Sequence, residues 1–514
     1  MAETAPQSGI LTRTAMGAGW MFAWRMAARL LGLASTLIMV RLLSPEDFGL
    51  FSLAFAIIAT LDNVLAVGVE AQVVRAHKTD RELYDNVFTI AVIRGVALSL
   101  AMLATAAPLA AFFEEPRLEA VIQVLSLMPL LAGFTNVGAM EFQRNLEFNR
   151  VFVMHLVPRL LHVPITLVLA AIIQSYWALI IGAVLARIFG VGITYVMHPF
   201  RPRLSLSLWR SLIGLSFWSW IIAVGLALRD RTATFAMGRM LGTRELGIYT
   251  VSYEIAALPA SELANPIQQA AFPGMAASLR SPDRDRITDA FLRIFSLTML
   301  VCLPISIGLS LMAGPVVSLL LGQGWLEAYA LIAILAIGKA AMPFGMIGQS
   351  LLDAQTRLRE IAAYIYIGML FRFVAVGLLV AGFGLHVFAV GMAGAMIGEA
   401  VVMTLWCLYR LRLRPGRLAR VTWRPLVAVC AMALVLWSLG LGWAGVPPSP
   451  LAGIVEALKA VPVGAAVYLA TLGLCWWLSG RPAGAETDML AFARMMAARL
   501  ARALPFTARY LAPR

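Results

Sequence analysis

Apolar runs of about 20 residues or more recur from the beginning of this 514-residue sequence to its end, each long enough to cross the hydrocarbon of a bilayer as a helix. In hydrocarbon every backbone N–H and C=O must be bonded internally, which leaves α-helices and closed β-barrels. The alternating ten-residue pattern of a membrane barrel is absent, so an all-α polytopic membrane protein is expected. Composition agrees: hydrophobic residues make up 61% of the chain and charged residues 13%, against roughly 45–50% and about 25% in soluble domains. No stretch between the runs is long enough for a soluble domain.

About fourteen spans are expected. The first six run near 17–40, 48–73, 86–112, 118–140, 151–173 and 177–198. The next six run near 211–236, 246–272, 288–312, 327–352, 361–382 and 386–409. Two more fall near 423–444 and 453–478. Met1 to Ile10 is polar and lacks the basic region and cleavage motif of a signal peptide, so the first span is expected to be retained.

A duplication organises these spans. Between the first two, Val40 to Ile57 reads VRLLSPEDFGLFSLAFAI, and Gly238 to Ile255 answers with GRMLGTRELGIYTVSYEI. Arg41 matches Arg239, Leu43 matches Leu241, Gly49 matches Gly247, and Phe51 is answered by Tyr249. Ser44 is suited to an N-cap, Pro45 to the first helical position, and Glu46 and Asp47 to the first turn. A second echo, Gln143-x-x-Leu146 and Gln355-x-x-Leu358, falls after the fourth span of each half. Two six-helix lobes are therefore expected, 1–200 and 201–411, with extra spans in 412–480 and a cytoplasmic amphipathic tail in 481–514. In that tail Met489, Phe492, Met496 and Leu500 share one helical face, with Arg494, Arg499, Arg502 and Arg509 supplying positive charge.

The net charge of +14 has a topological cause. Loops after even-numbered spans are rich in arginine, from Arg75 and Arg81 to the run Arg410, Arg412, Arg414, Arg417, Arg420 and Arg424. Loops after odd-numbered spans carry only Arg41, Arg117, Arg239 and Arg244. Both termini and the basic loops are thus expected on the cytoplasmic side, and nucleic acid is not needed to explain the charge. Cys302, Cys407, Cys430 and Cys475 are far apart inside apolar runs, which indicates neither a disulfide framework nor a metal site, and no cofactor motif is present.

An ionisable group at mid-bilayer costs on the order of 3 kcal/mol and is a functional candidate by default. Arg25 and Arg29 lie four apart on one face of the first span; Arg94, Arg159 and Arg187 follow in later spans. Arg229, Asp230 and Arg231 lie in the seventh span, Lys339 in the tenth and Arg372 in the eleventh. The acids are fewer: Asp62, Glu70, Glu254, Glu262 and Glu399. An electropositive cavity between the lobes is expected, suited to a diphosphate or an acidic sugar, because guanidinium offers forked donors and stays charged. Snorkelling accounts for Arg187 more readily than ligand contact does, packing accounts for His155 and His162 more readily than a proton relay, and pairing with Asp230 is an alternative for Arg231. Glu114-Glu115 before Pro116 reads as a solvated turn. Prolines 158, 164, 259, 266, 273, 304 and 343 interrupt spans and permit kinks.

The turn from Arg41 to Phe51, the stretch from Asp230 to Tyr249 and Gln143-x-x-Leu146 resemble signatures of the polysaccharide transporter family. That family sits in the superfamily of multidrug, oligosaccharidyl-lipid and polysaccharide exporters. The resemblance implies a flippase that moves undecaprenyl-diphosphate-linked oligosaccharide across a bacterial inner membrane by alternating access, for O-antigen, capsule or exopolysaccharide. Arg25, Arg29, Arg229, Arg231 and Arg372 are then the candidates for diphosphate or glycan contact. Asp62, Glu70 and Glu254 are candidates for a coupling proton or sodium ion. Membrane lipids and polymerase or assembly proteins are the implied partners, with no catalytic residue. An ion-coupled multidrug exporter of the same superfamily is the first alternative, disfavoured by a net basic interior. A membrane polymerase or ligase is the second, disfavoured by minimal outer loops and the lack of a Gly-rich phosphate loop.

Overall fold

The structure, a computed structural model, describes residues 24, 26–29, 31–32, 34–65, 81–145, 147–209, 217–264, 266–267, 284–355, 357–482, 484–491 and 494–495. All regular structure among them is helical. Residues 34–42 form a helix that precedes α1 (Pro45–Val64), α2 (Arg81–Phe113), α3 (Arg117–Leu125), α4 (Leu127–Gly133), α5 (Phe148–Ile173) and α6 (Trp177–Met197). Then come α7 (Phe217–Met240), α8 (Thr243–Pro259), α9 (Arg284–Leu311), α10 (Ala328–Ala354), α11 (Leu358–Val380) and α12 (Leu385–Leu411). Helices α13 (Pro415–Ser438) and α14 (Pro450–Leu478) complete the set.

Ten helices among the described residues are long and apolar enough to span a membrane. The count reaches eleven when α3–α4 and residues 137–144, bent by 68° at their break, are taken as one span. These match eleven of the expected segments. The seventh is helical as α7, interrupted by Arg229, Asp230 and Arg231; the eighth is α8, which continues into a wider π-type turn at Ala260–Ala264. The first lies partly outside the described residues.

The duplicated motif builds the same helix–turn–helix twice. In the first copy Ser44 caps α1: its hydroxyl accepts from the Asp47 N–H, and the Asp47 carboxylate accepts from the Ser44 N–H at 3.1 Å. In the second, α7 ends at Met240 and Gly242, at φ +95°, turns the chain into α8.

The chain divides into two compact units, Met1–Val251 and Ser252–Arg514, with the boundary inside α8. This packing boundary lies later than the repeat boundary expected near residue 200, because α7 runs along α1. In the first unit the two motif copies cross at their glycines. A Cβ on Gly49 would lie 1.7 Å from the Thr243 carbonyl oxygen, and one on Gly247 would lie 1.8 Å from that of Pro45. The contact is reciprocal, as a local two-fold relation between repeats requires. Elsewhere in this unit α2 crosses α4 at Gly95 and Gly133, and α5 packs on α6 with Gly182 against Thr166. Small residues let backbones approach where burial against lipid offers no driving force.

The chain from Phe200 to Leu208 leaves α6 as a strap along the start of α2. The backbone N–H groups of Arg203, Ser205 and Leu208 donate to the side chains of Asp85, Thr89 and Asn86 at 2.7, 2.8 and 2.8 Å. These three side chains are buried, so an irregular segment meets its hydrogen-bond demand without a regular element.

In the second unit α10 packs between α9 and α12, α11 lies on α12, and α13 packs on α14 and α9. Pro158, Pro164, Pro304 and Pro343 sit inside continuous helices, and Pro273 lies outside the described residues. Of the expected tail only 481–482, 484–491 and 494–495 are described. Glu486 is buried there against Arg424 of α13 at 2.7 Å. Phe492, Met496, Leu500, Arg499, Arg502 and Arg509 lie outside the described residues.

Replacing Gly49 by leucine would drive a side chain into the backbone of α8. We expect a destabilisation of about 3 kcal/mol, read as a lowered Tm in detergent. Gly190→Ala, at a position with nothing within 4 Å, should leave Tm unchanged.

Candidate functional site

The expected site residues divide between the two units. Arg25 and Glu70 lie outside the described residues. In the first unit Arg29 is exposed on the helix before α1. Arg159 of α5 donates to the Ala28 carbonyl at 2.9 Å and lies 5.2 Å from the Trp24 ring centre, while His155 stacks on the same ring. These residues fasten the first helical segment to α5, a packing role for His155.

Asp62, near the end of α1, meets Arg94 of α2. The Arg94 guanidinium donates to the Asp62 carboxylate and, at 3.0 Å, to its backbone carbonyl. Arg187 of α6 lies within the field of the same carboxylate. In α7 the Arg229 Nε donates to Asp230 at 3.0 Å, and Arg231 is half-buried. Among the described residues, the mid-span positions of this unit's helices therefore carry Arg29, Arg94, Arg159, Arg187, Arg229 and Arg231 against Asp62 and Asp230. Cations outnumber acids.

The second unit treats its deep charges differently. Arg372 of α11 and Glu399 of α12 form a buried ion pair, Nε to Oε1 3.0 Å, with side chains 8% and 9% exposed. Lys339 of α10 is also buried, its ammonium 3.6 Å from the Tyr253 ring centre and near the Met342 sulfur. A ring face attracts a cation without neutralising it. Glu254 is exposed on α8. Arg372 thus has a counter-ion that spacing alone did not reveal, twenty-seven positions away on the next helix.

A second polar cluster sits where α2 and α7 end and α1, α3, α6 and α8 begin. Glu115 takes both forks of Arg117 at 2.8 Å and accepts from the Thr243 hydroxyl at 3.4 Å. Glu114 pairs with Arg239 at 2.9 Å, and Glu46 with Arg244 at 3.4 Å. Asp47 accepts the Tyr176 N–H at 2.9 Å, and Arg117 lies over the Tyr176 ring. Glu114 and Glu115 are therefore not a merely solvated turn. They tie the α2–α3 corner to the second motif copy, beside the Gly49–Gly247 crossing.

Comparison with known proteins follows from this arrangement. The profile of a family described as polysaccharide biosynthesis protein matches residues 38–330, more than half of the chain. The chain belongs to this family. Its members' likeness is distant in sequence: the succinoglycan biosynthesis transport protein ExoT of Rhizobium meliloti is 23% identical over 59% of this chain and 62% of its own length. The chain thus spans about three fifths of that relative. The lipopolysaccharide biosynthesis protein WzxC of Escherichia coli is 22% identical over 67% of this chain and 71% of its own. The teichuronic acid biosynthesis protein TuaB of Bacillus subtilis is 22% identical over 74% of this chain and 79% of its own. In fold the family member resembles the lipid II flippase MurJ, with a TM-score of 0.67 at 13% identity over 88% of this chain and 99% of that one. It also resembles a multidrug resistance MATE family transporter in an inward-facing conformation, with a TM-score of 0.57 at 18% identity over 74% of this chain and 94% of that one. It is a multi-pass helical membrane protein with the fold that these two structures share.

The Arg117 side chain, donating to Glu115, holds that carboxyl below its ordinary value. The folded form therefore binds the proton less readily than the unfolded chain. The resulting stability is fully present above the ordinary carboxylate value and is lost as pH falls through the lowered one. Thermal melts of wild type and Glu115→Gln should differ by about 0.5–1 kcal/mol at neutral pH, and the difference should shrink as pH falls below the ordinary carboxylate value of about 4.3 and vanish once the folded form binds the proton.

Proposed function

We propose that this protein is a flippase for a lipid-linked oligosaccharide, moving it across the bacterial inner membrane for exopolysaccharide, capsule or O-antigen assembly. One observation carries the reading: among the described residues, the mid-span positions of the first unit's helices carry more arginines than carboxylates. A diphosphate linker supplies the missing negative charge, and forked guanidinium donors match its oxygens. The names of the family relatives, concerned with succinoglycan transport, lipopolysaccharide and teichuronic acid, support a polysaccharide precursor as cargo.

In this reading Arg29, with Arg25, Arg229 and Arg231, contacts the diphosphate or the glycan. Arg372 is held in its buried pair with Glu399. Glu70 and Glu254 serve a coupling proton or sodium ion. Both termini face the cytoplasm, the halves 1–200 and 201–411 are the repeated lobes, and polymerase or assembly proteins take the delivered lipid. A cationic-drug exporter shares the fold, but it would need an acidic interior, and the excess of arginine disfavours it.

The test is transport of a radiolabelled undecaprenyl-diphosphate oligosaccharide in proteoliposomes. Wild type should move it, and Arg25→Ala/Arg29→Ala should slow it by about tenfold or more with protein correctly folded. A wild type that moves no such lipid but expels a cationic dye against a proton gradient would overturn the reading.

A further inference from the structure

Asp62 and Arg94 present an ion pair that stability does not explain. The Asp62 side chain is 56% exposed and that of Arg94 22% exposed, and an open pair of this kind contributes only about 0–1 kcal/mol. The pairing is also incomplete. One terminal nitrogen of Arg94 takes both contacts, to the Asp62 carboxylate and to its backbone carbonyl. The Arg94 Nε is buried and makes no hydrogen bond to a protein atom.

Beside the pair lies a cavity of about 40 Å³, lined by Asp62, Arg94 and the tight α2–α4 crossing at Gly95, Pro129 and Gly133. It has room for water but not for a phosphate group while the carboxylate is in place. Asp62 stands two residues before the end of α1 at Val64, and its exposed side chain can turn away without moving the helix. The walls cannot adjust so easily. A Cβ on Gly95 would lie 2.5 Å from the Pro129 carbonyl oxygen, and one on Gly133 would lie 2.8 Å from that of Ala91. Arg94 is therefore held by a rigid crossing, and Asp62 is the movable partner.

We propose that Arg94 is an anion subsite for a phosphate or diphosphate, and that Asp62 is its built-in stand-in, occupying the guanidinium until the anion displaces it. A diphosphate offers several oxygens where the carboxylate has engaged one nitrogen, so it satisfies the orphaned Nε as well as the terminal nitrogens. The identity of the physiological anion rests on the flippase reading above; the subsite itself rests on the geometry alone.

The probe is inorganic pyrophosphate, titrated calorimetrically into the purified full-length protein. Asp62→Asn should tighten binding about tenfold by removing the competitor, and Arg94→Gln should abolish it. The double variant should bind no better than Arg94→Gln. Arg94→Lys, checked for folding by gel filtration and Tm, keeps the charge without the fork; it should bind more weakly than wild type yet still tighten when Asp62 is replaced. Asp62→Asn with unchanged or weaker affinity would overturn the stand-in role. Arg94→Gln with wild-type affinity, or no pyrophosphate binding by any form, would overturn the subsite. The expected pattern in a protein that moves no lipid-linked oligosaccharide would leave the subsite standing and remove the flippase reading. Transport of such a lipid that is indifferent to both substitutions would do the reverse.

Discussion

A charge placed at membrane depth must have a partner, a water-filled recess or a ligand, because hydrocarbon solvates none of its donors. The two units meet this constraint in different ways. In the second unit Arg372 is closed off by Glu399 and Lys339 lies on an aromatic ring, so its deep cations are used up in packing. The first unit keeps Arg187 exposed and gives Arg94 only a partial, movable partner. Where a structure leaves cations accessible in an apolar environment, an anionic cargo is the simplest compensation. The account of function depends on that asymmetry more than on any single residue.

The Gly49–Gly247 crossing adds a mechanical element. Two copies of one motif, separated by nearly two hundred residues, meet backbone to backbone and are flanked by Glu46–Arg244, Glu114–Arg239 and Glu115–Arg117. Dispersion at a close backbone contact is strong only while the fit is tight, and the surrounding ion pairs are weak one by one. Such a junction is firm when closed and separates without a large penalty in any one bond.

Much of the fold is legible in the sequence because hydrocarbon permits so few backbone solutions. The helix–turn–helix at Ser44–Pro45 follows from local chemistry, with Asp47 completing the capping box that Ser44 begins. Its recurrence at Gly242–Thr243 follows from the repeat. Pairings across helices are less legible. Arg372 with Glu399 and Asp62 with Arg94 join residues that are each visible as mid-span charges, but which cation meets which acid is decided by helix rotation and crossing, and neither leaves a local signature. Glu114 and Glu115 were misleading for the same reason: their partners Arg239 and Thr243 come from the other motif copy. A run of glycines at 49, 95, 133 and 247 carried the missing signal, since each marks a backbone contact that places nearby charges together.

The central claim is that accessible arginines in the first unit select a diphosphate. Equilibrium binding of undecaprenyl diphosphate and of undecaprenol, measured side by side at low and high salt, tests it most directly. The account predicts that the diphosphate binds more tightly by about tenfold or more at low salt and that the advantage shrinks as salt screens the charges. Equal affinity for the two lipids, unaffected by salt, would contradict it.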